Sequence, residues 1–138
     1  MARWNFYKLM DKDIINISKI ETYLHSIFDK TISENTFVSP PSVIMSSWND
    51  MCIIDVGNAI SDLDAYGKGI VHVLLYAKPL ADGSKNVAVM SKLEKALNSV
   101  IREQTSSTYS INRFTTYADY DNERKWHCNI VALNILIY

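Results

Sequence analysis

Glycine is scarce in this sequence, with 4 in 138 residues, and no glycine-rich loop of the kind that binds phosphate groups is present. The sequence also lacks an HExxH zinc motif, a CxxC pair and a GxSxG nucleophile motif. The acidic residues Asp55, Asp62, Asp64 and Asp82 fit no metal-binding loop and are typical of turns. We therefore expect a protein that is not an enzyme, with no catalytic residue, no cofactor and no bound metal.

Cysteine and unbalanced charge are also missing. Only Cys52 and Cys128 are present, each among apolar neighbours in a predicted strand, which predicts buried small side chains and not a disulfide or a metal pair. Lys and Arg number 14 against 15 Asp and Glu, for a net charge of −1. Such a balance disfavours binding to nucleic acid or to an anionic membrane through bulk charge.

No apolar run approaches the roughly 20 residues that a membrane span requires, and the first residues lack the apolar stretch of a signal peptide. We expect a soluble protein that is cytoplasmic where it is made, with no membrane partner. Hydrophobic residues make up 48% of the chain and aromatic residues 11%, enough to build a core. Residues 1–138 are predicted to form one domain.

An aromatic arm precedes the first predicted helix. Residues 1–10 contain Trp4, Phe6, Tyr7, Leu9 and Met10, which is more apolar surface than a free tail normally exposes. The arm is expected to dock, either on its own domain or on a neighbouring copy. Trp4 and Phe6 are therefore candidate interface residues.

Two stretches have the apolar spacing of amphipathic helices. The first covers residues 14–29, with Asp11 and Asp13 as N-cap candidates, and the second covers residues 86–103 after a turn at residues 82–84. One apolar face on each predicts that both helices pack on a sheet. The residues expected to be buried are Ile17, Ile20, Leu24, Ile27 and Phe28 in the first helix, and Met90, Leu93, Leu97, Val100 and Ile101 in the second.

Residues with strand propensity occupy 51–56 and 69–78, and residues 108–138 alternate as a hairpin whose tip is polar. Residues 59–68 are predicted to be an acidic connection, and 31–48 a long loop stiffened by Pro40 and Pro41. The order is α-β-β-α-β-β. Short connections favour antiparallel pairs, so we predict an α+β two-layer sandwich, a mainly antiparallel sheet with two helices on one face.

This order of elements resembles the tail-terminator proteins of long-tailed bacteriophages and the related minor tail and neck proteins. The matching pieces are the strand at residues 69–76, which leads through a proline into the second helix, and residues 120–122 through Trp126 to the apolar run at 135–138. In that family, too, a charged turn is followed by an aromatic residue and an alternating strand. The resemblance covers roughly residues 50–138 and rests on patterns of residue type.

The resemblance implies a structural virion protein that forms a homohexameric ring at the head-proximal end of the tail. Such a ring stops polymerisation of the tail tube and joins the tail to the head connector. Its partners are other copies of itself, the tail tube protein and the head-tail connector protein. It is located in the virion tail or neck, after assembly in the host cytoplasm. The family binds no cofactor and catalyses no reaction.

The hairpin tip and the lumen of such a ring supply the remaining candidate residues. Charged side chains surround Trp126, which is expected to lie too near the tip to be wholly in the core, so the tip is predicted to be an interface with an aromatic anchor. The alternative is a solvated turn with Trp126 covering the edge of the sheet. The candidate interface residues are Trp4, Phe6, Trp48, Asp121, Glu123, Arg124 and Trp126.

DNA is expected only in passage through the ring, because strong attraction at the lumen would hinder a moving genome. Lys68, Arg102 and Arg113 are the candidate lumen-facing residues, for which weak and salt-sensitive DNA binding is predicted.

Two other functions remain open from the residues alone. A small-ligand or regulatory binding domain is the first alternative, because two-layer α+β folds often hold a pocket between helix and sheet. An enzyme whose residues converge only in space, around His72, His127 and Asp55, is the second.

Overall fold

The computed structural model describes residues 17–56, 60–62, 67–103 and 109–137. The predicted arm and the N-cap candidates Asp11 and Asp13 lie outside these ranges. The elements are α1 (Ile17–Phe28), β1 (Thr36–Phe37), β2 (Asp50–Asp55), β3 (Ile60–Asp62), β4 (Gly67–Ala77), α2 (Val87–Glu103), β5 (Tyr109–Asp121) and β6 (Trp126–Ile137).

The described strands form one mixed sheet of six, and together with the two described helices they make the chain α+β, as predicted. The sheet order is β1-β2-β4-β6-β5, with β3 also paired to β4. Strands β1 and β2 are parallel, and the other described pairs are antiparallel. The hairpin β5–β6 carries a bulge between Arg113 and Thr115.

Strands β1 and β3 were not predicted. The segment expected to be a loop contains Thr36 and Phe37, which pair with Cys52 and Ile53 of β2. The segment expected to be a connection contains β3, which pairs with residues 67–69 at the start of β4. Both strands are too short to show a period of two, and the aspartates and glycines around β3 are typical of turns. Their pairing depends on the sheet and not on local sequence.

Local side-chain chemistry fixes the ends of the helices. The carboxamide oxygen of Asn86 accepts a hydrogen bond from the backbone N–H of Val89 at 3.2 Å, so Asn86 is the N-cap of α2. Helix α1 ends where Lys30 adopts a left-handed conformation, with φ of 60°, and the N–H of Ile32 donates to the carbonyl of Phe28.

The larger core cluster lies between the two helices and one face of the sheet. All five predicted residues of α2 are buried there, as are Leu24, Ile27 and Phe28 of α1. Tyr23 is fully buried as well, although the apolar pattern did not include it. The side chains of Ile17 and Ile20 lie outside the described set. In the sheet, the cluster takes alternate residues: Cys52, Ile54, Val71, Val73, Leu75, Val131, Leu133 and Ile135.

A smaller cluster covers the other face of the sheet. Its buried members are Met51, Ile53, Tyr76, Trp126 and Cys128. Because Met51 and Ile53 alternate with Cys52 and Ile54, the two clusters lie on opposite faces of β2. Ile44 and Trp48, from the loop that follows β1, pack against this smaller cluster. The loop therefore protects part of the face opposite α1 and α2.

Neither helix in the described ranges combines the length and the apolar character that crossing a membrane requires.

Candidate interaction surface on the β5–β6 hairpin

Asp121 organises the turn that joins β5 to β6. One of its carboxylate oxygens accepts hydrogen bonds from the backbone N–H groups of Glu123 and Arg124, each at 3.0 Å. The other accepts from the guanidinium of Arg124 at 2.7 Å and from the hydroxyl of Tyr76 at 2.9 Å. Lys125 adopts a left-handed φ of 62°, and its N–H donates to the carbonyl of Asp121. The role of Asp121 in this structure is to hold the turn.

The pKa shifts of Asp121 and Tyr76 agree with their roles as acceptor and donor in this hydrogen bond. Partial burial raises the pKa of the Asp121 carboxyl, but the hydrogen bonds from Arg124 and Tyr76 outweigh it and hold that pKa below its ordinary value. Burial raises the pKa of the Tyr76 hydroxyl, and the hydrogen bond to Asp121 raises it further by a smaller amount. At neutral pH Asp121 is therefore an ionised acceptor and Tyr76 a protonated donor.

Replacing Asp121 by alanine is expected to lower the free energy of unfolding by about 1–3 kcal/mol, because four donors lose their acceptor. The matched control is Glu123→Ala, an acidic residue two positions away whose side chain is exposed, with an expected change within about 0.5 kcal/mol. Urea unfolding of both variants measures the difference. Equal stability of the two variants would contradict the role of Asp121.

The pH dependence of stability should report the same carboxylate. The pKa of Asp121 is lower in the folded protein than in the unfolded chain, where it is about 3.9, so the folded state binds fewer protons in acid. The ionised Asp121 carboxylate therefore stabilises the folded state fully at pH values well above about 3.9. This stabilisation is lost as the pH falls through the pKa of Asp121 in the folded protein. We expect the stability gap between the parent and Asp121→Ala to stay constant from pH 7 to about 5 and to narrow below about pH 4. Urea unfolding at stepped pH measures the gap, and a gap that widens in acid would refute the assignment.

The prediction that Trp126 is too near the tip to lie in the core is wrong. Trp126 is 7% exposed and packs in the smaller core cluster with Tyr76 and Cys128. The reason is that β4 runs alongside β6 as far as the pair Ala77 and His127, one residue from Trp126, so that Tyr76 of β4 lies close enough to cover the indole.

The other described interface candidates lie around the same smaller cluster. Trp48 is half-buried, with its ring 5.6 Å from that of Phe37. Arg124 is committed to Asp121, which leaves Glu123 as the exposed candidate on the turn. Trp4 and Phe6 lie outside the described residues. Among the described candidates, Trp48, Trp126 and Asp121 meet around this cluster, where their contacts are with the same chain.

The candidate lumen-facing residues differ in how far their charges are paired within the chain. Arg113 binds Glu94 and Asn98 of α2 and the hydroxyl of Thr116, so its charge is already paired. Arg102 is exposed in the last turn of α2, on the helix face that carries positions 94 and 98. The side chain of Lys68 lies outside the described set. The lumen-facing role of these three residues and their weak, salt-sensitive DNA binding stay predictions.

The exposed strand β5 is the feature that sequence reasoning missed. It is the outermost strand and pairs only with β6 among the described strands. From Thr115 to Tyr120 its side chains are exposed on both faces of the sheet. Tyr117 is 49% exposed and Tyr120 is 40% exposed, and their register places them on opposite faces. Between the bulge and the turn this edge contains no lysine or proline, and its single charged residue is Asp119.

The chain matches no protein-family model and no curated protein.

The opposite edge of the sheet is protected. The Cys52 N–H donates to the carbonyl of Asn35, so the polar groups of the next residue, Thr36, point away from β2. His25 covers the Thr36 carbonyl, with its Nε2 at 3.0 Å. The carboxamide of Asn35 donates to the carbonyl of Asp50, also at 3.0 Å. Backbone groups at this edge are thus bound by side chains of the same chain.

A cleft of about 630 Å³ opens beside this protected edge, between α1 and the loop that follows β1. His25, Phe37, Val38, Pro40 and Val43 are among its lining residues. Val38 and Val43 are exposed. The cleft has the size of a small-molecule site and a largely apolar lining.

The alternative catalytic group does not assemble. Asp55 and His72 are partners across β2 and β4, but His127 pairs with Ala77, five residues further along β4. The ring of His127 instead stacks edge-on against Tyr120 at 4.9 Å, and its Nε2 lies 3.2 Å from the carbonyl of Gly83. Within the described residues, no three His, Cys, Asp or Glu side chains are grouped to bind a metal.

Both cysteines are free and buried, as predicted. Burial raises the pKa of the Cys52 thiol to about 12, with a smaller effect from the charge of Asp50. Burial also raises the pKa of Cys128 to about 12. Protonated, buried thiols are poor nucleophiles and poor metal ligands.

Proposed function

We propose that this chain is a structural virion protein that forms a ring at the head-proximal end of a phage tail. In this proposal the ring stops polymerisation of the tail tube and joins the tail to the head connector. The protein catalyses no reaction and needs no cofactor. The proposed fold is the two-layer sandwich of the resembling family, with the order α-β-β-α-β-β once the short strands β1 and β3 are set aside.

The single observation that supports self-assembly most is the exposed edge of β5. Monomeric proteins usually block such edges with lysine, proline or a covering segment, because an open edge pairs with other chains. On β5 the stretch after the bulge contains Thr115, Thr116, Tyr117 and Tyr120, which favour strand pairing. An edge so composed is suited to permanent contact with another chain.

The two edges of the sheet differ, and this difference favours a ring. An interface that uses two different surfaces on neighbouring copies is heterologous, and it closes into a ring when the rotation between copies is a simple fraction of a turn. The open β5 edge and the protected β1 edge are two such different surfaces on opposite sides of one copy. A head-to-tail arrangement leaves each β5 facing the β1 side of the next copy.

The mass of the purified protein and its shape in electron micrographs test the proposal. Six copies of the 15.8 kDa chain give a particle of about 95 kDa, with a visible central hole. A closed hexamer that also caps growing tail tubes, when it is added to the tube protein of the same phage, supports the full proposal. A monomer or a two-fold dimer at micromolar concentration contradicts it.

A small-ligand or regulatory binding domain is the second candidate, favoured by the cleft beside His25 and Phe37. In that case the protein is monomeric, and a small molecule raises its thermal midpoint in a screen of metabolite classes. Substituting Val38→Asp, at the lining of the cleft, then abolishes the shift. The ring proposal predicts no such ligand-dependent shift.

A further inference from the structure

We infer that Tyr117 of one copy inserts into the cleft between α1 and the loop after β1 of the next copy. This inference rests on the proposed ring and names the side chain and the cleft that meet at each of its contacts. The contact is made by side chains, because the carbonyl of Thr36 at the β1 edge is already bound by His25 of the same chain. Different residues lie on its two sides, as a head-to-tail ring requires.

The large apolar side chains that are exposed are concentrated on these two surfaces. Among the described residues they are Val38, Val43, Met45, Leu80, Val87, Tyr117 and Tyr120. Val38 and Val43 line the cleft, and Tyr117 and Tyr120 lie on β5. Exposed apolar side chains that group in this way mark contact surfaces. The two sides of the molecule that face each other in a head-to-tail ring thus carry most of these side chains.

Tyr117 is the better placed of the two tyrosines on β5. It pairs with Ile130 of β6, and both Ile130 and Phe37 pack on the smaller core cluster. Tyr117 and Phe37 therefore lie on the same face of the sheet. The ring of Tyr120, on the other face, lies 4.9 Å from that of His127 in the same chain. A sheet that meets the next copy edge to edge brings Tyr117 towards the cleft that Phe37 lines.

The lining of the cleft suits an aromatic side chain with a polar tip. Phe37 and the consecutive Pro40 and Pro41 supply apolar surface. Proline and aromatic rings pack well on each other, as in the recognition of proline-rich segments by aromatic side chains. Ser39 and Ser42 also line the cleft, and their hydroxyls are suitable partners for a phenol. The cleft volume of about 630 Å³ is large enough for one tyrosine side chain.

The charges on the two surfaces are complementary. Asp119 follows Tyr117 by two residues, so the two side chains share a face of β5. The described lining of the cleft contains no aspartate or glutamate, and its one titratable side chain is His25. Nε2 of His25 lies 3.0 Å from the Thr36 carbonyl, which leaves Nδ1 for a hydrogen bond to Asp119 of the next copy. The acidic side chain therefore meets no like charge in the cleft.

Tyr117 of the same copy cannot reach this cleft. Strand β5 lies four strand positions away from β1, roughly 19 Å across the sheet. The pairing of Tyr117 with Ile130, and of Phe37 with Ile53, fixes both positions in the folded sheet. A tyrosine side chain is much shorter than the distance between them. The tyrosine in the cleft must therefore come from a second copy.

Complementation between two lysine variants of the full-length protein tests the inference. Tyr117→Lys removes the inserted side chain and leaves the cleft intact, whereas Val38→Lys blocks the cleft and leaves β5 intact. Both parent residues are exposed, so both variants should fold, which far-ultraviolet circular dichroism checks. Each variant alone should be monomeric. An equimolar mixture should form a particle of two chains, about 32 kDa, because one intact pair of surfaces remains in it.

The first control is Val87→Lys, which adds the same charge at a position 64% exposed on α2 and should keep the hexameric mass. Alanine variants compare the two tyrosines. Tyr117→Ala should raise the concentration at which the ring dissociates by at least roughly tenfold, and Tyr120→Ala should raise it by a clearly smaller factor.

A hexameric mass for Val38→Lys or for Tyr117→Lys overturns the inference and leaves the ring proposal standing. A mixture of the two folded variants that stays monomeric up to millimolar concentration also overturns it. A parent protein that is a monomer or a two-fold dimer overturns the ring and this inference together.

Discussion

Replacing Trp126 by alanine is expected to lower the free energy of unfolding by about 3–5 kcal/mol. The indole is 7% exposed and lies against Tyr76 and Cys128 in the smaller core cluster. Its removal leaves a cavity beneath the turn that Asp121 holds, and the neighbouring strands cannot close it without shifting. Unfolding in urea, followed by far-ultraviolet circular dichroism, measures the loss.

Trp48→Ala is the matched control for this substitution. It removes the same side chain from the rim of the same cluster, but Trp48 is only half-buried, so a clearly smaller loss is expected. The two residues were predicted together as interface candidates, and this pair of variants separates a core role from an interface role. If Trp126→Ala unfolds at the same urea concentration as the parent but loses its oligomeric mass, Trp126 is an interface residue after all.

Placing lysine at both Tyr117 and Ala118 is expected to abolish ring formation while leaving the folded monomer intact. The two side chains point to opposite faces of β5, and both are exposed, Tyr117 at 49%, so the monomer loses little buried surface. Lysine on an edge strand is a common barrier to pairing with another chain, because its charge must be desolvated. Light scattering should show the particle mass fall from that of six copies to that of one.

The control for the double variant is Val87→Lys together with Ala88→Lys. These residues are exposed at the start of α2, away from the β5 edge, and they add the same charge to the chain. The control should keep the parent's mass, and both proteins should unfold within about 0.5 kcal/mol of the parent for each substitution. If the β5 variant stays in rings, the edge is not the contact surface.

The periodic elements were predictable from sequence because their own residues define them. The apolar spacing of Met90, Leu93 and Leu97 defines α2, and the alternation along residues 69–77 defines β4. Both sit in the structure within about two residues of the predicted bounds. Strands β1 and β3 could not be found in this way, because two or three residues form a strand only when a neighbouring strand is already present.

The site was less predictable because it depends on the order of strands in the sheet. Alternation in residues 109–121 indicates a strand but does not say that one side of it lacks a neighbour. For the same reason the sequence predicts an exposed tip at Trp126, although the end of β4 lies next to it and Tyr76 packs in the same cluster. Asp121 illustrates a different limit: as one charge among several, it could not be singled out without its hydrogen bonds to Tyr76 and Arg124.

The position of β6 between β4 and β5 has a consequence for the timing of assembly. Strands β4 and β6 are neighbours in the sheet but are separated in the chain by α2 and β5. Pairing of β4 with β6 is therefore a late, non-local folding step. Strand β5 is held in the sheet only through β6, so no ordered β5 edge exists until β6 has inserted. A partly folded chain therefore has no ordered β5 edge to offer a neighbour. In the proposed ring, contacts through this edge are in this way restricted to copies in which β6 has inserted.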